Sequence, residues 1–178
     1  MRRVIITKII QLYVYQMRQD DQRKCTAAKL HRLGLVKQIF RRNAIPKNGI
    51  TLNPKVEDIF SPQEKQHLGY GLVAIDCSWK RVNEVYIKKF KGLNRRLPLL
   101  IASNPVNYGK ISMLSSVEAL ASALYISDFL EQSEKLLSIF KWGLNFIQLN
   151  KDPLEDYRLA KNSKEILEIE KEYFYRNS

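Results

Sequence analysis

The tetrapeptide Asp76-Cys77-Ser78-Trp79 puts a carboxylate, a thiol, a hydroxyl and an indole directly after a short apolar run, residues 72–75. A carboxylate at the carboxyl end of a buried strand, beside a helix start, stands where α/β proteins hold ligands, and it can serve as a general base. The spacing fits a plainer reading equally well, with Asp76 capping the next helix and Trp79 filling core. A second constellation runs Asn104-Pro105-Val106-Asn107-Tyr108-Gly109-Lys110 and then Leu114-Ser115-Ser116. It pours a polar loop onto a helix start, whose hydroxyls and free N–H groups suit a carboxylate or phosphate. Capping accounts for Ser115, but not for a loop so rich in Asn, Tyr and Gly. A third, Asp20-Asp21-Gln22-Arg23-Lys24-Cys25-Thr26, carries paired acids. The adjacent Arg23 and Lys24 would repel a metal, so it reads as a solvated loop leading into a cap. His31 and His67 are the only histidines, and neither has Cys or carboxylate at metal-ligand spacing. There is no phosphate-binding glycine loop, dinucleotide fingerprint or nucleophile elbow, so a zinc enzyme or hydrolytic triad is not expected and no metal is assigned.

The elements that must carry these residues begin with β-branched and aromatic stretches at 4–6 and 8–15, one or two strands. Thr26 is placed to cap a short helix through Leu33, and Gly34 to end it. A weak strand follows at 50–52, and Ser61-Pro62-Gln63-Glu64 is a helix start. The apolar run 72–75 reads as a buried strand, 78–90 as a helix with Trp79, Val82, Tyr86 and Phe90 on one face, and 97–102 as another buried strand. That succession is a βαβ unit, expected to give adjacent parallel strands. Beyond Lys110 the pattern is helical: a capping box at Ser115-Ser116-Val117-Glu118 with Val117, Leu120, Ala121 and Leu124 on one face, a cap signature at Asp128 and Glu131, a helix start at Asp152-Pro153, and a charged surface helix over 164–176. The division expected is a basic N-terminal α/β domain, 1–92, and a mostly helical C-terminal domain, 93–178.

Composition narrows the partner. The 178 residues are 45% hydrophobic with seven Gly and six Pro, enough for a real core and unlike a disordered chain. Two cysteines are too few for a disulfide framework or a four-ligand zinc site. No apolar run approaches the ~20 residues of a bilayer span. Met1-Arg2-Arg3 leads into strand-like alternation rather than a signal peptide, so a soluble, cytoplasmic protein with no membrane contact is expected. The net charge of +12 is uneven: 22 Lys and Arg against 7 Asp and Glu up to Lys110, then 8 against 11. One half therefore faces a polyanion, with nucleic acid the favoured partner over a merely basic surface.

Several of these segments together resemble the small-subunit (16S/18S) rRNA aminocarboxypropyltransferases, in order and spacing over nearly the whole chain. The resemblance is carried by Lys24-Cys25-Thr26 with Lys29-Leu30 and Leu33-Gly34-Leu35, by Asp76-Cys77-Ser78-Trp79, by Arg96-Leu97-Pro98-Leu99-Leu100 through Lys110, by Leu114 to Leu120, by Phe140-Lys141-Trp142-Gly143, and by Leu154 to Tyr157. The compact chain is closest to archaeal-type members. The resemblance implies an α/β, SPOUT-like knotted fold with an N-terminal α/β part and an all-helical C-terminal part. It implies S-adenosylmethionine as donor of its 3-amino-3-carboxypropyl group to N3 of a uridine-type base, commonly a methylated pseudouridine of small-subunit rRNA, during ribosome maturation. Asp76 is then the expected general base. Trp79 packs on the sulfonium or methionine chain, and Thr26, Ser115 and Ser116 are hydroxyls for the methionine carboxylate. Ile75, Leu99, Leu100 and Leu114 offer main-chain groups to ribose and adenine. Lys24, Lys29, Arg32, Arg95, Arg96 and Lys110, with Arg41, Arg42 and Arg81 nearby, are positioned to follow an RNA backbone. The expected assembly is a monomer acting on small-subunit rRNA or a pre-ribosomal particle. The rival readings are a SPOUT rRNA methyltransferase, which moves the methyl group instead, and a non-enzymatic ribosome-assembly factor.

Overall fold

The computed structural model describes residues 9–17, 26–86 and 89–175; the strand expected at 4–6 and the charged segment 20–25 lie outside them. Among the described residues five strands, β1 (Leu12–Gln16), β2 (Lys37–Ile39), β3 (Ile50–Leu52), β4 (Leu72–Asp76) and β5 (Leu93–Arg95), form one sheet in the order β2-β1-β4-β3-β5. Every pairing is parallel. Period-two alternation gives the sheet two apolar faces. Leu12, Val14, Leu72 and Ala74 enter the larger core. Tyr13, Tyr15, Val73 and Ile75 enter a smaller one closed by Val85 and Phe90.

The larger core is built on α3 (Ser116–Ile126), whose Val117, Leu120, Ala121 and Leu124 are buried as the periodicity predicts. Ala123, Tyr125 and Ile126 are buried too, because α3 lies against β4 on one side and α1 (Thr26–Arg32), α4 (Leu130–Ser138) and α6 (Lys151–Leu159) on others. It is the central helix, not a surface one. Each fully buried Leu there is worth ~1.5–3 kcal/mol. α5 (Gly143–Leu149) and α7 (Ser163–Phe174) complete the helical side. Gly34, with φ 71°, ends α1 in the left-handed region where glycine carries no steric penalty.

Connections define where the sheet opens. From β1 the chain passes through α1 to β2 on one edge, whereas from β4 it passes beyond β3 to β5 on the other. β1 and β4 are neighbours, with Gln16 opposite Asp76 at their carboxyl ends. Strands that part in opposite directions leave a crevice outside those ends, the usual ligand position of an open parallel sheet.

Several expectations are corrected. The helix expected over 78–90 reduces to a 3-10 turn, Trp79–Arg81, and one turn of α2 (Val82–Val85). Phe90 is instead drawn into an aromatic cluster with Tyr86 and Tyr15, at 5.5 and 5.6 Å between ring centroids, and Asn94 grips its backbone N–H and C=O at 3.1 and 2.6 Å. The βαβ strands are parallel but not adjacent, since β3 lies between β4 and β5. The part expected to be all helical contributes β5, which pairs with β3. Phe129, not Asp128, is the N-cap of α4; Asp128 takes φ 68° and turns its carboxylate to Arg158 at 3.0 Å. α6 starts at Lys151, after Asn150. α7 buries Ile166 and Glu170 and so is not merely a surface helix.

The expected strand 97–102 is the most informative correction. Pro98 has no N–H to give a ladder, and the segment lies outside the sheet. One edge pairs with the loop that follows: Ser112 N donates to Leu100 O (2.7 Å), Ala102 N to Lys110 O (2.9 Å) and Gly109 N to Ala102 O (2.8 Å). The other edge is satisfied by side chains. Leu99 N donates to Glu170 (2.8 Å) and Leu99 O accepts from the Tyr157 hydroxyl (3.1 Å). Ile101 N and O bond the two atoms of the Asn150 amide (2.7 and 2.9 Å), and Ser103 N donates to Glu118 (2.7 Å). Four buried side chains from the helical side thus replace a missing neighbour strand, because backbone polar groups removed from water must find partners.

Candidate active site

At the carboxyl ends of β3, β4 and β5 lies a cleft of about 1430 Å³. Thr26, Ile75, Asp76, Trp79, Leu99, Leu114, Ser115 and Ser116 all line it, so four of the segments that carry the resemblance converge there. Leu100 does not; its side chain is fully buried in the core behind the cleft and its carbonyl accepts from Ser112. Trp79 Nε1 donates to Leu114 O at 2.9 Å, tying the end of β4 to the turn before α3. Asp76 Oδ1 accepts the Ser116 hydroxyl at 3.3 Å, which sets the carboxylate against the first residue of α3, where the helix presents positive partial charge.

Ser115 is occupied differently. It is the N-cap of α3, and its N–H and hydroxyl both donate to Glu118 Oε2 at 2.7 Å. The same carboxylate accepts Ser103 N (2.7 Å), Asn104 N (2.9 Å) and Asn104 Nδ2 (2.8 Å). Glu118 has no exposed surface and receives all five bonds, so it clamps both ends of loop 103–115 together. The sequence marks Glu118 as the far half of a capping box; its hold on residues 14–15 positions upstream depends on the fold. Glu170, Tyr157 and Asn150 were likewise invisible as site-supporting residues. The closest sequence signal was a polar residue at the inward face of an otherwise apolar helical stripe.

The basic residues divide. Lys24 lies outside the described residues. Arg32 and Lys110 line the cleft mouth, and Lys110 Nζ reaches Asn107 Oδ1 at 3.4 Å. Lys29 also lines it, with Nζ donating to Ile139 O at 2.8 Å and lying 4.8 Å over the Phe140 ring. Arg96 lines the cleft but forms a bidentate pair with Glu170 at 2.8 and 3.1 Å, while Arg95, off the cleft, pairs with Glu64 at 2.7 Å. Both guanidiniums are thereby engaged inside the protein, and reversing their charge would disturb the fold itself. Arg42 donates to Val85 O at 3.2 Å and lies 4.2 Å over the Phe90 ring, on the smaller core.

Burial pushes the Tyr86 hydroxyl well above the ordinary tyrosine range, and its neighbours Cys77 and Asp76 push it the same way. Tyr86 therefore stays protonated at the cleft floor, a hydrogen-bonding group and not a base. The donor implied by the resemblance joins an adenine, a sulfonium and a charged amino-acid tail. Apolar walls from Ile75, Leu97, Leu99 and Leu114, an indole, a carboxylate and a helix N-terminus offer each of these a matching surface.

A family described as "Ribosome biogenesis protein, C-terminal" matches residues 50–174. The chain is 42% identical over 166 residues to the 16S rRNA aminocarboxypropyltransferase of Methanosarcina mazei, covering 92% of this chain and 95% of that one. It is 43% identical to the protein of that name from Methanocaldococcus jannaschii (91% and 95% covered) and 47% identical to that from Thermoplasma volcanium (92% and 98% covered). Among solved structures it resembles the SAM-dependent rRNA:acp-transferase Tsr3 from Vulcanisaeta distributa, with a TM-score of 0.83, 42% identity, and coverage of 89% of this chain and 88% of that one.

Proposed function

The chain belongs to the family of 16S rRNA aminocarboxypropyltransferases, and from that premise we propose that it places a 3-amino-3-carboxypropyl group on N3 of a uridine-type base, a methylated pseudouridine above all, in small-subunit ribosomal RNA. It is an S-adenosylmethionine-dependent transferase acting on ribosomal RNA in ribosome biogenesis. The observation that carries the site assignment is the convergence of Thr26, Asp76–Trp79 and 104–116 on one cleft.

S-adenosylmethionine supplies an electrophilic carbon beside its sulfonium. N3 bonds to that carbon, the carbon–sulfur bond breaks with its electron pair passing to sulfur, and the N3 proton must leave. Asp76 takes that proton, held by the Ser116 hydroxyl and the start of α3. Trp79 forms the wall beside the sulfonium. The main chain at Ile75 and Leu114 receives ribose and adenine, Leu99 adds an apolar wall because its own N–H and carbonyl are taken by Glu170 and Tyr157, and Thr26 with the start of α3 receives the methionine carboxylate. Ser115 positions the start of α3 without holding the ligand itself, its N–H and hydroxyl both being given to Glu118. Selecting the propyl carbon over the methyl is a matter of position. The methyl is turned into the protein and the propyl chain toward the RNA.

The finer readings, a SPOUT-like fold with a trefoil knot and an archaeal-type member of the family, rest on the resemblance. A cytoplasmic monomer remains part of the proposal; no described helix is long and apolar enough to cross a membrane.

Donor labelled separately in its methyl and carboxyl positions tests the function. Carboxyl label is expected in the RNA and methyl label in the released thioether. Methyl label in the RNA would establish a methyltransferase, and failure to bind S-adenosylmethionine in calorimetry would favour an assembly factor. Trp79→Ala is expected to weaken S-adenosylmethionine binding about 2–30-fold, the range of an aromatic face near a cation. Trp79→Phe, which keeps a ring but loses the bond to Leu114, should lose less. Unchanged affinity in Trp79→Ala would remove Trp79 from the site.

A further inference from the structure

Loop 105–111 breaks the usual pattern of a polar turn. Val106 is 84% exposed, Tyr108 63% and Ile111 50%, although the loop is stiffly built. Asn107 N donates to both the backbone and side-chain oxygens of the buried Asn104, Lys110 N returns to Asn107 O, and Gly109 N and Lys110 O both bond Ala102. Gly109 turns the chain at φ 77°, and beneath it Glu118 closes the loop base. A loop held this firmly cannot fold its apolar tips inward, so they are presented outward; Val106, Asn107 and Lys110 line the cleft, and Tyr108 stands between them in the chain without lining it. Arg32 and Lys80 line the same cleft. An exposed aromatic ring on a rigid loop beside a cleft that carries cations is a surface that single-stranded nucleic acid selects.

We propose that Tyr108, backed by Val106, is a stacking platform for the base next to the target nucleotide, with Lys110 meeting the intervening phosphate. The inference rests on the transferase reading above and deepens it. N3 lies on the Watson–Crick edge of a uracil, so the target base must be unpaired and turned into the cleft before Asp76 can reach its proton. Turning it out deprives the neighbouring base of a stacking partner. Tyr108 replaces that partner, and the rigid loop does so without an ordering cost on binding.

The test measures binding of a synthetic small-subunit rRNA hairpin by anisotropy, with S-adenosylmethionine present, alongside calorimetry of S-adenosylmethionine alone. Tyr108→Ala is expected to weaken RNA binding and raise the KM for RNA about 10-fold, with the salt slope unchanged because no phosphate contact is removed. S-adenosylmethionine affinity should stay as in the wild type, and Tyr108→Phe and Tyr108→Trp should retain RNA affinity. An abasic site beside the target should weaken the wild type by a similar factor and add nothing to Tyr108→Ala. Equal RNA affinity of Tyr108→Ala and wild type overturns the platform, as does full additivity with the abasic site; either would leave the loop to a protein partner. Failure of the transferase reading registers separately, as a wild-type protein that binds the hairpin without labelling it.

Discussion

Asp76→Ala is expected to slow aminocarboxypropyl transfer about 10²–10⁴-fold, the usual worth of general-base help, while S-adenosylmethionine affinity changes much less. The carboxylate stands at the end of β4, held by the Ser116 hydroxyl at 3.3 Å, and the cleft it lines is the one that Trp79 and the 104–116 segment share. Asp76→Asn separates this role from a structural one. Asn accepts a hydrogen bond from Ser116 and caps a helix about as well as Asp does, so a capping residue would tolerate the change almost silently. A base would not, because the amide cannot take a proton at neutral pH. Single-turnover rates with labelled donor, read beside calorimetry, give both quantities. Wild-type transfer by Asp76→Asn would leave proton removal to water or to the RNA.

Glu118→Gln is expected to lower folding stability by about 1–3 kcal/mol in urea titration, the cost of a buried donor left without an acceptor. Five donors converge on the two carboxylate oxygens. Glutamine offers one oxygen and brings two further N–H groups among them, so at least one donor faces another. Because Glu118 closes loop 103–115 onto α3, S-adenosylmethionine affinity should fall with stability. A charge-neutral pocket built from Glu118→Leu is no rescue, as it leaves every donor orphaned. Stability within ~0.5 kcal/mol of wild type, the scatter of ordinary surface substitutions, would mean the loop is held by its own backbone bonds.

Glu170 extends the same arrangement to the other end of the segment. It accepts two bonds from Arg96 and one from Leu99 N. The C-terminal helix thereby fixes the backbone that carries the apolar wall proposed at Leu99. A residue that charge counting assigns to RNA is here committed to a carboxylate 74 positions away. The +15 balance of the first 110 residues remains, but its members are not equivalent: Arg32 and Lys110 face the cleft, while Arg95 and Arg96 serve the fold.

Much was legible without coordinates wherever the determinant is local. β1 and β4 follow from apolar and β-branched runs, the caps at Ser61 and Ser115 from a hydroxyl three residues before a glutamate, and the end of α1 from Gly34. Each is a relation within one or two turns of chain, so the residues themselves settle it. The tetrapeptide 76–79 and the loop 104–110 could be marked as the chemical segments for the same reason. Tertiary structure decided the rest. Whether 97–102 is a strand depends on which neighbour lies beside it, and here the neighbours are the side chains of Glu170, Tyr157, Asn150 and Glu118, not a strand. Whether Phe90 continues a helix depends on Tyr15 and Asn94. Whether an arginine reaches RNA depends on a glutamate in another element. A periodic pattern reports which face of a segment is buried, but it carries no information about which distant group satisfies the backbone there. That is settled only when the sheet order β2-β1-β4-β3-β5 and the helices packed on it bring the partners together.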